Sequence, residues 1–147
     1  MENVWNTRII THRSMSNLLR VVATLEMDKT EYRSEITAFL NDYGEDDGYS
    51  PANFGYKNCR SDQLLYISYI EPGGLSEPPG GESACMKRLI DEAEKRRMHL
   101  ITQVQPIDDD YERLSSFLKR FGFERVELPD YPSILLMRRH SVSLDCR

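Results

Sequence analysis

The chain has 147 residues and a mass of 17.1 kDa, the size of one domain with one core. A net charge of -5 and a pI near 5.2 argue against tight, sequence-independent binding to nucleic acid, which needs a surplus of Lys and Arg. Charged residues make up 29% and apolar ones 39%, with no run approaching the ~20 apolar residues that span a bilayer and no signal-like stretch after Met1, so the expected state is soluble and cytoplasmic, without a membrane partner.

In chain order, Arg8 to His12 is a short β-prone run. Ser14 or Ser16 offers an N-cap for a helix carrying Leu18, Leu19, Val22 and Leu25. Tyr32, Ile36, Phe39, Leu40 and Tyr43 recur at three- and four-residue intervals, which predicts a second helix from about Asp28 to Asp42. From Gly44 to Asp62 the sequence is turn-rich, with room for one short strand around Phe54 to Lys57. Leu64 to Ile70 is the clearest strand, apolar and aromatic on both faces as a central strand of a covered sheet requires. A Pro- and Gly-rich loop from Pro72 to Gly81 follows, then a helix from Glu82 to about Met98 with Ala84, Cys85, Leu89, Ile90, Ala93 and Met98 on one stripe. Leu100 to Gln105 reads as a strand. Asp108 to Asp110 cap a helix in which Leu114, Phe117, Leu118 and Phe121 share a face, and Gly122 is its left-handed C-cap. Phe123 to Val126 and Ser133 to Met137 form a closing antiparallel pair.

Three cysteines without CxxC spacing, Cys59, Cys85 and Cys146, predict reduced thiols and no zinc cluster. His12, His99 and His140 lack metal-ligand spacing, so no metal is expected. The acidic strings Glu45 to Asp47 and Asp108 to Asp110 lack the alternation and interior Gly of a calcium loop. Cys85 falls on the apolar stripe of its helix, which makes it a core residue rather than a nucleophile.

Three strings carry a resemblance to a known family. Ile70-Glu71-Pro72 resembles the V-x-P that ends the fourth strand of the GNAT N-acetyltransferases, and Gly80-Gly81-Glu82-Ser83-Ala84-Cys85-Met86 resembles the G-x-G-S-A-L-M that opens their coenzyme-binding helix. Phe117 to Phe123, followed by Ile134 to Arg139, resembles the Y-x-x-x-G-F and the closing L-M-R-R strand. Residues 64–139 match well, 1–63 only in coarse order, and 140–147 are a tail. The resemblance implies one α/β GNAT-like domain over 1–147, a mixed twisted sheet with helices on both faces. It also implies an acetyl-CoA site at Ile70, Leu75, Gly80, Gly81, Ser83 and Ala84, where backbone N–H groups at the helix start receive the pyrophosphate.

Two departures bear on chemistry. The family's R/Q-x-x-G-x-G/A becomes Glu77-Pro78-Pro79-Gly80-Gly81-Glu82, which sets two carboxylates near the anion. At an effective dielectric near 20, like charges 5 Å apart cost ~3 kcal/mol before screening by salt. The family tyrosine that protonates the departing thiolate is Leu118 here, which has no proton to give. Glu71, at the end of the central strand, is the candidate base, and Tyr111 the remaining phenol near the expected acid position.

Two functions follow. One is acyl-CoA-dependent N-acetyl transfer to an amine substrate. The other is a catalytically inactive GNAT-like binding or structural protein with a protein partner, of the kind found among bacteriophage products as virion or host-interaction proteins.

Overall fold

The computed structural model describes residues 4–11, 14, 17–40, 56, 59, 60, 63–71, 78–104, 111–126 and 135–142. Seven strands and two helices follow one another along them: β1 (Asn6–Thr11), β2 (Leu18–Met27), β3 (Thr30–Leu40), β4 (Leu64–Ile70), α1 (Gly81–Arg96), β5 (His99–Val104), α2 (Tyr111–Arg120), β6 (Glu124–Val126) and β7 (Leu135–Arg139). The strands form one sheet in the order β1-β2-β3-β4-β5-β7-β6, with β4 in the middle. β1–β2, β2–β3, β5–β7 and β6–β7 are antiparallel. β4 and β5 are neighbours joined through α1, the crossover that parallel strands require, so the sheet is mixed. Among the described residues no helix is long and apolar enough to cross a membrane.

The chain divides into two compact units, Met1–Phe39 with Ile67–Glu92, and Leu40–Tyr66 with Ala93–Arg147. In the first, both expected helices are strands. Residues 18–27 and 30–40 make a long hairpin whose turn, Asp28-Lys29, has positive φ at both positions (53° and 67°). Two successive left-handed residues give the type I′ turn, whose twist matches that of the flanking strands. In β3, Ser34, Ile36 and Ala38 are buried while Glu35, Thr37 and Phe39 are half-buried, an alternation of period two that a helix would not produce. α1 rests on the buried face: the Cys85 thiol reaches the Val21 carbonyl at 3.6 Å. Each wholly buried aliphatic side chain here, such as Val21, Ile36 or Leu89, contributes about 1.5–3 kcal/mol to the fold.

The second unit follows the sequence expectations closely. α2 carries Phe117 and Leu118 into the core. It ends at Gly122 (φ 89°), with Phe123 N–H bonded to the Leu118 carbonyl at 3.1 Å. α1 ends in the same motif with Arg97 (φ 57°) in the glycine's place and Met98 N–H on the Ala93 carbonyl at 2.9 Å. Phe117 here, like Ile67 and Leu89 in the first unit, is buried as expected, whereas Leu114 here and Ile90 in the first unit are half-buried. Cys59 is disulfide-bonded, against the expectation of reduced thiols, and Cys85 is free. The short strand expected around 54–57 lies outside the described residues, apart from Tyr56, which is wholly buried.

Candidate functional site

β4 changes character along its length. Leu64, Leu65 and Ile67 are buried, but Ser68 and Tyr69 are exposed, Tyr69 to 54%. Adjacent strand residues point to opposite faces, so the end of this central strand is open on both. The Ser68 hydroxyl donates to the Thr37 carbonyl at 3.2 Å, and Glu71 N–H donates to the Glu35 carbonyl at 2.9 Å. These contacts advance in opposite senses along the two strands, which makes β3 and β4 antiparallel with Glu71 opposite Glu35. The Ser34 side chain lies against Gly81 at the start of α1, so Ser34 faces the helix and its neighbour Glu35 faces away. Glu71 and Tyr69 share the face of Glu35. Arg20 pairs closely with the Glu35 carboxylate, and Arg33 approaches it at 3.8 Å.

The start of α1 is shaped by two glycines with different reasons. Gly80 has φ 108°, and its carbonyl accepts the first helical bond, from Ala84 N–H at 2.9 Å. The N–H groups of Gly81, Glu82 and Ser83 therefore have no intrahelical acceptor and lie at the positive end of the helix dipole. Gly81 is buried, and a Cβ there would run into the Ser34 hydroxyl and come within 3.0 Å of the Trp5 ring. Trp5 also donates its indole N–H to the Pro79 carbonyl at 3.0 Å. The chain's own packing thus demands glycine at 81. Glu82 places a carboxylate in the first turn, favourable to the dipole and opposed to an incoming anion.

Ile70, Glu71, Gly80, Gly81, Ser83 and Ala84 all belong to the first unit, at the end of β4 and the start of α1. Leu75 and Glu77 lie outside the described residues. Tyr111 opens α2 in the second unit. Leu118 is wholly buried, so a side chain there is part of the core. Burial pushes the Cys85 thiol up to about 12, and the carboxylates of Glu35, Glu71 and Glu82 act in the same direction against the Ala23 N–H, which makes Cys85 the inert core residue expected from its position. Trp5, Ser34 and Tyr69 are unmarked in the sequence as site residues; the one available signal is an aromatic side chain near the end of the central strand.

A second cluster occupies the other unit. His99 and His140, distant in sequence, lie with ring centroids 5.8 Å apart. Tyr56 stacks on His99 at 4.2 Å, and its hydroxyl is 2.7 Å from His140 Nδ1. His140 Nε2 meets Glu124 at 2.9 Å, and Ser141 N–H donates to His99 Nδ1 at 2.9 Å. Glu94 accepts from the Ser141 hydroxyl at 3.0 Å, from Val142 N–H at 3.1 Å and from Arg139 at 3.2 Å. Among the described residues no group of His, Cys, Asp and Glu is arranged to hold a metal.

No protein-family model and no curated protein sequence matches the chain. Solved structures do. One assigned to the GNAT acetyltransferases, from Desulfovibrio desulfuricans, superposes with a TM-score of 0.59 at 13% identity over 86% of this chain and 71% of that one. One assigned as an acyl-CoA N-acyltransferase, from Klebsiella pneumoniae, gives 0.60 at 7% over 94% and 98%. The aminoglycoside 6'-acetyltransferase type Ii gives 0.53 at 12% over 88% and 74%. The fold is GNAT-like.

Proposed function

We propose that the chain is an acyl-CoA-dependent N-acyltransferase, with acetyl-CoA as donor and an amine as acceptor. The observation that carries this reading is the open end of β4. A central strand exposed on both faces, leading to a helix start with outward N–H groups, is the frame an acyl thioester needs. The acyl-CoA substrate fits this frame with one opposing group among the described residues: the helix start from Gly81 to Ser83, flanked by Gly80 and Ala84, receives its pyrophosphate, while the Glu82 carboxylate opposes it. Ile70 and Leu75 are assigned to the pantetheine arm.

Glu71 faces away from α1, the side left for the amine. It takes the ammonium proton, the freed nitrogen bonds to the acyl carbon, and the carbon–sulfur bond breaks to give the amide and a thiolate. Leu118 supplies no proton, so water relays to the thiolate the proton that the acylated nitrogen sheds. The transfer is taken as direct, and burial, which pushes the thiol up, speaks against Cys85 as an intermediate nucleophile at neutral pH.

Isothermal titration with acetyl-CoA, paired with thiol release across a panel of amines, tests the reading. Glu82→Gly is expected to tighten coenzyme binding several-fold. Glu71→Gln is expected to leave binding intact and lower turnover by ~10² to 10⁴. A folded protein that neither binds nor consumes acetyl-CoA would overturn the proposal in favour of a GNAT-like binding or structural protein.

A further inference from the structure

We infer that Tyr69 and Glu71 together form the acceptor subsite, and that the acceptor is a small basic amine whose ammonium group rests on the Tyr69 ring. This inference depends on the acyl-transfer reading above and names the substrate class of that site. Tyr69 is 54% exposed on the middle strand of the sheet, and among the described residues it makes no hydrogen bond or ring contact. Packing therefore does not account for an aromatic side chain there. Glu71 lies two residues further on the same face, about 7 Å along an extended chain. A cation within about 6 Å of a tyrosine ring is attracted by its negative face. One alkylammonium group at the end of β4 thus lies within reach of both the ring that holds it and the carboxylate that takes its proton.

The other charged groups on this face support the choice of Glu71. Across the strand, Glu35 is already paired with Arg20 and approached by Arg33, so its charge is offset. Among the described residues the Glu71 carboxylate has no ion pair or hydrogen bond. Beyond it, with Arg20 neutralised by Glu35, Arg33 leaves one net positive charge, which disfavours a second positive charge extending in that direction and favours an acceptor with a single ammonium group.

The test compares two acceptors, an alkylamine that is cationic at neutral pH and O-methylhydroxylamine, which is neutral there. Because the ring acts on the bound ammonium and not on the reacting carbonyl, Tyr69→Leu is expected to raise KM for the alkylamine by roughly two- to thirtyfold with kcat unchanged. KM for the neutral acceptor stays the same, and Tyr69→Phe, which keeps the ring, behaves as wild type with both. Equal KM shifts for the two acceptors, a Phe variant as impaired as the Leu variant, or an indifferent Leu variant would each overturn this inference while leaving acyl transfer standing. A wild-type protein that turns over no acetyl-CoA would overturn both. Tyr69 is exposed, so the substitution leaves the core intact, and an unchanged urea midpoint verifies it.

Discussion

Tyr56 and Tyr69 stand in regions built on opposite terms. Tyr56 is wholly buried, stacked on His99, bonded through its hydroxyl to His140, and covered by the Arg138 guanidinium 5.2 Å from its ring centre. Tyr69 is largely exposed and has no partner among the described residues. Around Tyr56 the titratable side chains engage one another or the backbone: His99 accepts from Ser141, His140 bridges to Glu124, and Glu124 is held by Arg138 at 3.0 Å. Around Tyr69 the Glu71 carboxylate has no hydrogen-bond or ion-pair partner among the described residues. The cluster richer in histidine and carboxylate is the one that reads as architecture, because groups that already satisfy one another have nothing to offer a substrate. Chemistry belongs where hydrogen-bonding capacity is unused and solvent can enter.

If that contrast is right, breaking the closed cluster costs stability. The largest effect is expected at Glu94, whose carboxylate holds Ser141, Val142 and Arg139. Glu94→Ala takes the acceptor from the buried Ser141 hydroxyl and from the half-buried Arg139, while water can reach the exposed Val142, and should lower unfolding free energy by about 1–3 kcal/mol in urea titration, with acetyl-CoA affinity unchanged. Retention of wild-type stability would show that water replaces the carboxylate and that the cluster is not structural. Next in size is Gly81→Ala, which forces a methyl group against Ser34 and Trp5 and should cost about 1–3 kcal/mol. A thermal melt of Gly81→Ala combined with Ser34→Gly should recover part of the loss. No recovery would mean that Trp5, and not Ser34, sets the requirement for glycine.

The smallest effect is the response to acid. Partial burial pushes the Glu94 carboxyl up, but bonds from Val142 N–H, the Ser141 hydroxyl and Arg139 outweigh it and hold the group below its ordinary 4.5. Glu124 is held down in the same direction, chiefly by its bond to Arg138 and further by His140. A carboxyl whose folded pKa is depressed adds stability that is full above the unfolded value and disappears as pH falls through the folded one. The contribution of these two carboxyls to the urea midpoint should therefore be constant above about pH 4.5, the ordinary value, and decline below it. Glu94→Gln, which cannot titrate, should decline less. A Glu94→Gln variant with the same acid limb as wild type would assign that limb to other groups.

The second half of the molecule was legible because its local signals agree. The apolar stripe of α1, the Gly122 cap and the Gly-Phe step into β6 each point to the observed element. The first half misled because its signals fit two periods. Leu18, Leu19, Val22 and Leu25 match a helix face, but Leu19, Val21, Ala23 and Leu25 match a strand face equally well, and pairing with β1 and β3 decides for the strand. The hairpin turn carries Asp28-Lys29 where an Asn-Gly or Asp-Gly pair would have announced it. At the site, Gly80-Gly81 was readable as a turn before a helix. That Gly81 must be glycine because of Ser34 and Trp5 was not, since neither is near it in sequence. The meeting of Tyr56, His99 and His140 is likewise a product of the fold, with no spacing to reveal it.

Trp5 gives the helix start a further property. It is the chain's one tryptophan, and its indole N–H is bonded to Pro79 beside the Gly80-Gly81 turn. The tryptophan emission of the protein thus originates from a single ring beside the place proposed to receive the pyrophosphate. Any occupant that alters the field at the first turn of α1, or loosens the ring from Pro79, will change the colour or intensity of that emission, so the molecule carries its own optical indicator of what happens there.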